Sequence, residues 1–356
     1  MRWPMLVLAA VLIAERPAVA GDDVWREQSQ KEVDVRGLSS LEIINPRGRV
    51  DLLPSPDARL HISALKIVRV GRRGRAQEVA AGIVVEAGPR GDRYLVEVRH
   101  PMRRRIHLGL SDLFTLDHRA FPQSEVRIEA RIPPGMSAIV RETSGDIRSE
   151  DVAGPQLLST TSGDIDVRSA RNRVELSTSS GDVSADGLRS ARVRSVSGDL
   201  IIREVAGPLV ASSSSGDITV TDAADSLSLS TVSGDIDADR APRGLRAESS
   251  SGTVEVRAVS GSARVSTSSG DVTLGLRGPL SGVDVSASSG ELRLDLDPAV
   301  RCALDLKTSS GSLHVSLPME MSHASRRALS GTIGGGRSPV VLRTSSGDIT
   351  VMGGGR

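Results

Sequence analysis

Twelve Ser-Gly dipeptides of this chain share one sequence context, with glycines at 145, 163, 181, 198, 216, 234, 252, 270, 290, 311, 331 and 347. Self-similarity at a near-fixed period marks a repeat architecture, so it constrains the fold more than any other feature. The spacing is mostly 18, widens to 20 or 21 after Gly270 and closes at 16. Asp follows the glycine in eight copies; Thr253, Glu291, Ser312 and Thr332 fill the rest. Two residues after the glycine there is always Ile, Val or Leu. Apolar residues also stand five and seven before it, with Arg326 and Gln156 as the exceptions, and Thr or Ser dominates three before it.

Strict alternation marks strands with one buried face. The inward positions are odd before the glycine and even after it, so one residue of phase is lost at Gly-Asp. Each repeat therefore reads as strand, bend, strand, with glycine tolerating the angles of the bend. A second bend is marked by Gly154-Pro155, Gly207-Pro208, Pro242 to Gly244, Gly278-Pro279, Pro318 and Pro339. Two architectures fit this pattern: a parallel β-solenoid with one coil per repeat, or a row of β-hairpins turning at Gly-Asp. In a solenoid each position stacks on its own equivalent, which explains why every column keeps one residue type. The expected fold is thus all-β: a parallel β-solenoid (β-helix) of about twelve 18-residue coils over residues 136–351, then a Gly-rich tail, 352–356.

Residues 1–20 have a short positive start, an apolar run from Met5 to Ala14 and an Ala18-Val19-Ala20 site. That is the pattern of a cleaved secretory signal peptide. The expected product is extracytoplasmic, periplasmic or secreted, with no transmembrane segment after cleavage. Residues 21–135 read as an irregular β-rich portion or cap. Leu41, Ile43, Gly48, Val50 and Leu52 match the repeat columns, with Asn45 at the Thr/Ser position and Arg49 at the Asp position. This is a degenerate first coil. Further strands are expected at Leu60–Ala64, Ile83–Glu86, Tyr94–Val98 and Val126–Ile132.

The Ser-Gly-Asp-Ile repeats, with the strand end Ile132-Pro133-Pro134-Gly135 upstream, resemble the bacterial "putative adhesin" family of unknown function. The resemblance covers about residues 30 to 356. It implies a β-helix and an envelope location, and it carries no catalytic residues to transfer.

Composition narrows the chemistry. The five aromatic residues are Trp3, Trp25, Tyr94, Phe114 and Phe121, so the repeats lack the stacking faces of a sugar or single-strand nucleic-acid site. A net charge of +1 gives no drive toward nucleic acid. The single Cys302 excludes an internal disulfide and a multi-cysteine metal cluster. Neither a cofactor nor a resident metal is expected. The Asp column could hold Ca²⁺, but Asp at a bend more often bonds nearby amides. The Ser/Thr columns read as hydrogen-bonded ladders rather than a ligand surface. A metal on His100, His107 and His118 lacks any regular ligand spacing. The repeat with His314, Met319, Met321 and His323 reads as a looser coil, and Gly334 to Gly336 as a turn.

One candidate patch remains. Residues 21–140 hold 20 Lys/Arg against 16 Asp/Glu, and the excess gathers at Arg69, Arg72, Arg73 and Arg75 and at Arg103, Arg104 and Arg105. Guanidinium groups suit phosphate and carboxylate, so these residues are the candidate anion-binding site, against the plainer reading of a solvated loop. The function expected is a non-enzymatic structural or interaction scaffold at the cell envelope, its partner an envelope polymer or another protein. The alternatives are a polysaccharide-active β-helix enzyme and end-to-end self-association through an open edge on the last coil, which ends at Val351.

Overall fold

The alternation around each Ser-Gly pair becomes two strands joined by a sharp bend, and equivalent strands of successive copies pair in parallel. The computed structural model describes residues 24–69, 73–101 and 123–354, without the side chains of 73–75. Residues 1–20, expected from the sequence to be a signal peptide, lie outside the described residues. The chain divides into two units, 1–172 and 173–356. Among the described residues there are 25 strands and one helix, and that helix is too short and polar to cross a membrane.

The first unit holds β1 (Val24–Asp34), β2 (Ser40–Pro54), β3 (Arg59–Arg69), α1 (Arg73–Gly82), β4 (Val84–Arg90), β5 (Arg93–Arg99), β6 (Gln123–Ile132), β7 (Ser137–Glu150), β8 (Gln156–Ser162) and the start of β9 (Ile165–Ser180). β2 pairs in parallel with β7, with Gly48 opposite Gly145, Arg49 opposite Asp146 and Asn45 opposite Glu142. It is not the outermost rung. On its other side Ser40–Ile44 pair with β5 and Gly48–Pro54 with β6, again in parallel. The sheet then turns antiparallel: β3 covers β6, β1 covers β3, and β4 covers β5. The helix is not announced by the sequence pattern, because the Arg run at its start hides a short apolar face. Ala76 and Ala80, four apart, are buried, and α1 packs against β1 and β3.

The second unit continues β9 with β10 (Val183–Arg194), β11 (Leu200–Val205), β12 (Leu209–Ser213), β13 (Ile218–Ala223), β14 (Leu227–Ser233), β15 (Ile236–Ala241), β16 (Leu245–Ser251), β17 (Val254–Ser269) and β18 (Val272–Ser289). After these come β19 (Leu292–Leu296), β20 (Cys302–Ser310), β21 (Leu313–Val315), β22 (Glu320–Ala324), β23 (Ala328–Ile333), β24 (Pro339–Ser346) and β25 (Ile349–Gly353). After each bend, Leu200, Ile218, Ile236, Val254 and Val272 form one ladder. Before each bend, Leu209, Leu227, Leu245 and Ala263 form another. All nine of these side chains are buried. Parallel pairing between copies excludes the hairpin alternative. The architecture is all-β with a solenoid-like repeat.

Two expectations fail at the far end of this unit. The Ser330-Gly331 copy makes no bend: it lies within β23, which runs antiparallel to both β20 and β22. Nor is the last copy in sequence the last in the stack. β24 pairs with β18 on one side and β20 on the other, and β25 likewise with β19 and β21. The copy containing Val351 is therefore an inner rung, paired on both sides, and its proposed open edge does not exist. Residues 302–315 form the outer rung, where β23 and β22 extend the sheet beyond β20. Each unit thus carries an antiparallel extension on a rung that is out of sequence order.

Candidate functional site

The repeated bend is the most regular surface of the molecule, and its geometry shows what each column does. A Cβ built on Gly163, Gly198, Gly216, Gly270, Gly311 or Gly347 would lie 1.9–2.1 Å from the carbonyl oxygen of the glycine on the neighbouring rung. Glycine is needed here for close approach. At Gly163, Gly198, Gly216, Gly234 and Gly270 the φ angle is not in the left-handed region at all. The left-handed residues of the second corner are instead Asp151, Ser169, Gly187, Glu204 and Asp222, six residues after the glycine, with φ between 52° and 66°. The Gly-Pro marks do not reveal that position.

The Asp column also has a structural task. Oδ1 of Asp146, Asp182, Asp199, Asp217, Asp235 and Asp271 accepts the backbone N–H of the matching residue on the next rung, at 2.7–3.2 Å. Asp348 does the same for the N–H of Ser312. That bond lowers the carboxyl pKa of Asp348 below the ordinary aspartate value. Three residues before the glycine, Thr160 and Thr308 donate to the glycine carbonyl of the adjacent rung at 3.0 and 3.1 Å. Among the described residues no group of three or more His, Cys, Asp or Glu is placed to share a metal ion.

The column changes character at β2. Arg47, Gly48 and Arg49 stand opposite Ser144, Gly145 and Asp146. Two positively charged residues thus replace the serine found in every other copy and the acid found in most. Arg49 is held by Asp51 at 2.8 Å, whereas Arg47 is exposed. Arg47 borders a depression of about 230 Å³ lined also by Arg69, Gln123, Ser124, Glu125 and Ser144. Arg69 lies 3.8 Å from Glu125. His100 reaches Ser124 Oγ at 3.5 Å, and its pKa is lowered by burial first and then by the charge of Arg47. Both effects disfavour the charged imidazolium beside the basic pair.

Of the residues predicted for an anion site, Arg69 lines this depression. Arg73 and Arg75 fall in the first turn of α1, where only the backbone is described. Arg72, Arg103, Arg104 and Arg105 lie outside the described residues, as do His107 and His118. Sequence reasoning missed Arg47, although its departure from an otherwise all-Ser column was visible.

The same two strands, β2 and β7, also carry a buried polar pair. Asn45 Nδ2 donates to Glu142 Oε1 at 2.7 Å and to the Val126 carbonyl at 2.9 Å. Both residues occupy the Thr/Ser column. Burial pushes the Glu142 carboxyl up to about 8, with the Asn45 bond opposing that shift.

Two further places invite a chemical reading. A polar groove of about 540 Å³ over β1, β3 and β6 contains His61. Its Nε2 is 2.9 Å from Asp57 and its Nδ1 3.8 Å from Glu32, so both ring nitrogens face carboxylates and neither is turned to a nucleophile. Cys302 is buried on β20, and burial pushes its thiol up to about 11. It is therefore not a thiolate at neutral pH.

Parallel rungs with matched columns, a bend made of close-packed glycines and an acid ladder spent on amides define an all-β, solenoid-like repeat protein. The chain belongs to the Toastrack DUF4097 family, which matches residues 102–247 and 241–352. Three solved structures are similar over most of their length. A "putative cell adhesion protein" from Clostridium sporogenes is 8% identical, with 92% of this chain and 99% of that one covered and a TM-score of 0.24. A "putative adhesin" from Bacteroides fragilis is 10% identical, with 91% and 96% covered and a TM-score of 0.34. A "putative lipid binding protein" from Parabacteroides distasonis is 11% identical, with 91% and 96% covered and a TM-score of 0.30. At these scores none of the three informs the function of this chain. No curated protein matches it.

Proposed function

We propose that this chain is a non-enzymatic, extracytoplasmic scaffold of the cell envelope, built as a parallel β-solenoid of 18-residue coils. The observation that carries this reading is the Asp column. The most repeated ionisable group of the chain binds backbone amides between rungs, which holds the array together and leaves its chemistry uniform. The secretory pattern of residues 1–20 supports the location. The break in the column at Arg47, beside Arg69, supports an interaction surface for an anionic envelope polymer; Arg72, Arg73, Arg75, Arg103, Arg104 and Arg105 are assigned to the same role from their sequence clustering alone.

The test is binding of the full chain to a polyphosphate-bearing polymer and to a neutral polysaccharide, at two salt concentrations. Binding to the anionic polymer should weaken with salt and fall at least fivefold in an Arg47→Glu/Arg69→Glu variant that keeps wild-type circular dichroism. Equal binding by wild type and variant would remove the site. Turnover of either polymer would overturn the non-enzymatic reading.

A further inference from the structure

The inner rung formed by β24 and β25 sits in a slot, and both walls of that slot are complementary to each other as well as to the rung. On one wall stand Val283, Val285, Ser289, Leu292 and Leu294. The rung presents Val340, Leu342, Ser346, Ile349 and Val351, and the other wall Leu304, Leu306, Ser310, Leu313 and Val315, in the same register. Each of these five positions is aliphatic on aliphatic or serine on serine. Nothing in the columns ties this rung to its own copy of the chain.

The connection that returns it is Gly334 to Ser338, between Ile333 and Pro339. The chain turns back at Gly334 and Gly335, whose φ values are 59° and 69°. Side chains other than glycine resist these angles, whereas an extended connection suits any residue. The rung is thus a separable element on a glycine hinge, the arrangement from which identical elements are exchanged between protomers.

From this we infer that residues 339–353 are an exchangeable rung, and that the slot between β18–β19 and β20–β21 accepts the same segment of a second copy, giving a reciprocal strand-exchanged dimer. The partner needs no new surface, because it supplies the side chains the slot already holds. This inference is independent of the anion site and of the envelope location.

The test uses two exposed, directly paired positions, Ser286 and Arg343. One full-length copy carries Ser286→Cys and the other Arg343→Cys. They are mixed at high concentration, cycled through mild denaturant and oxidised. A disulfide joining the two copies is expected, while a single copy carrying both substitutions closes on itself when dilute. Gly335→Val adds a second reading, because a side chain there meets nothing within 4 Å and only the turn is penalised. It should raise the dimer association constant about tenfold. No joined product at any concentration, together with an unchanged monomer fraction in Gly335→Val, would overturn the inference. So would a dimer that forms without a disulfide between positions 286 and 343.

Discussion

Replacing Gly216 by Ala tests the central physical claim about the repeat. The new Cβ would lie 2.1 Å from the Gly198 carbonyl oxygen and 2.6 Å from its carbon. A carbon–oxygen contact relaxes near 3.3 Å, so the two bends must separate by about 1.2 Å. The Leu200 N–H bond to the Asp217 carbonyl is 2.8 Å, and the Asp217 N–H bond to Asp199 Oδ1 is 3.0 Å. Both would stretch past hydrogen-bond range, a loss of about 1 kcal/mol each. Overpacking adds about 1–3 kcal/mol. Alanine's lower unfolded-state entropy returns about 0.4–1 kcal/mol. The net expectation is a local destabilisation of about 3 kcal/mol. Gly282→Ala is the control, because its Cβ meets nothing nearer than 3.7 Å and its φ is not left-handed. It should be neutral or slightly stabilising.

The assay is amide hydrogen exchange read by mass spectrometry on peptides covering 200–236. Repeat arrays open locally rather than all at once, and no aromatic residue follows Phe121 to give an optical signal in the second unit. A loss of about 3 kcal/mol speeds exchange roughly a hundredfold. If Gly216→Ala exchanges within threefold of the wild type, close approach is not why glycine occupies this column.

Glu142→Gln should cancel a pH dependence: the fold keeps a proton that the unfolded chain releases, so wild-type stability should fall by up to about 1.4 kcal/mol per pH unit between the ordinary glutamate value and about 8. Denaturant titrations across that window check this, and a variant with the wild-type slope would refute it. Asp235→Ala removes the acceptor for the Thr253 N–H and should cost about 1 kcal/mol, whereas Asp235→Asn keeps an acceptor and should cost less. Under the same structural reading, Ca²⁺ or a chelator should leave the melting temperature of the wild type unchanged. Glu204 holds a φ of 52°, so Glu204→Gly should stabilise by up to about 1 kcal/mol, measured by the same exchange experiment.

The columns were legible in the sequence because each one repeats a physical requirement. Gly48 opposite Gly145 could be aligned from apolar spacing alone. The reason for glycine was only half legible, since a bend and a close approach both select it and only coordinates show the carbonyl beneath. Rung order could not be read. Leu292, Leu313 and Ile349 satisfy the same column equally, so sequence proximity favoured stacking the copies in chain order. The Ser330-Gly331 copy kept the dipeptide but had Arg326 where an aliphatic residue belongs, and that position is a turn between β22 and β23 rather than an inward strand. In the candidate site, Arg69 was found as part of a charge run. Arg47 was visible only as a break in a column, and the burial of Glu142 depends on neighbours from β2 and β6.

The out-of-order rung also sets a timetable for biosynthesis. Gly311 leaves the ribosome 36 residues before Gly347. At about 5–20 residues per second, that is a wait of roughly 2–7 s. During that interval β20 and β21 lack the neighbour that separates them from β18 and β19, and their side chains match the vacant edge. A nascent chain can close the gap early and must then reopen it for the last rung to enter. Completion of this end is therefore an insertion step that follows the synthesis of both walls, and a chaperone that holds residues 302–315 apart would speed it.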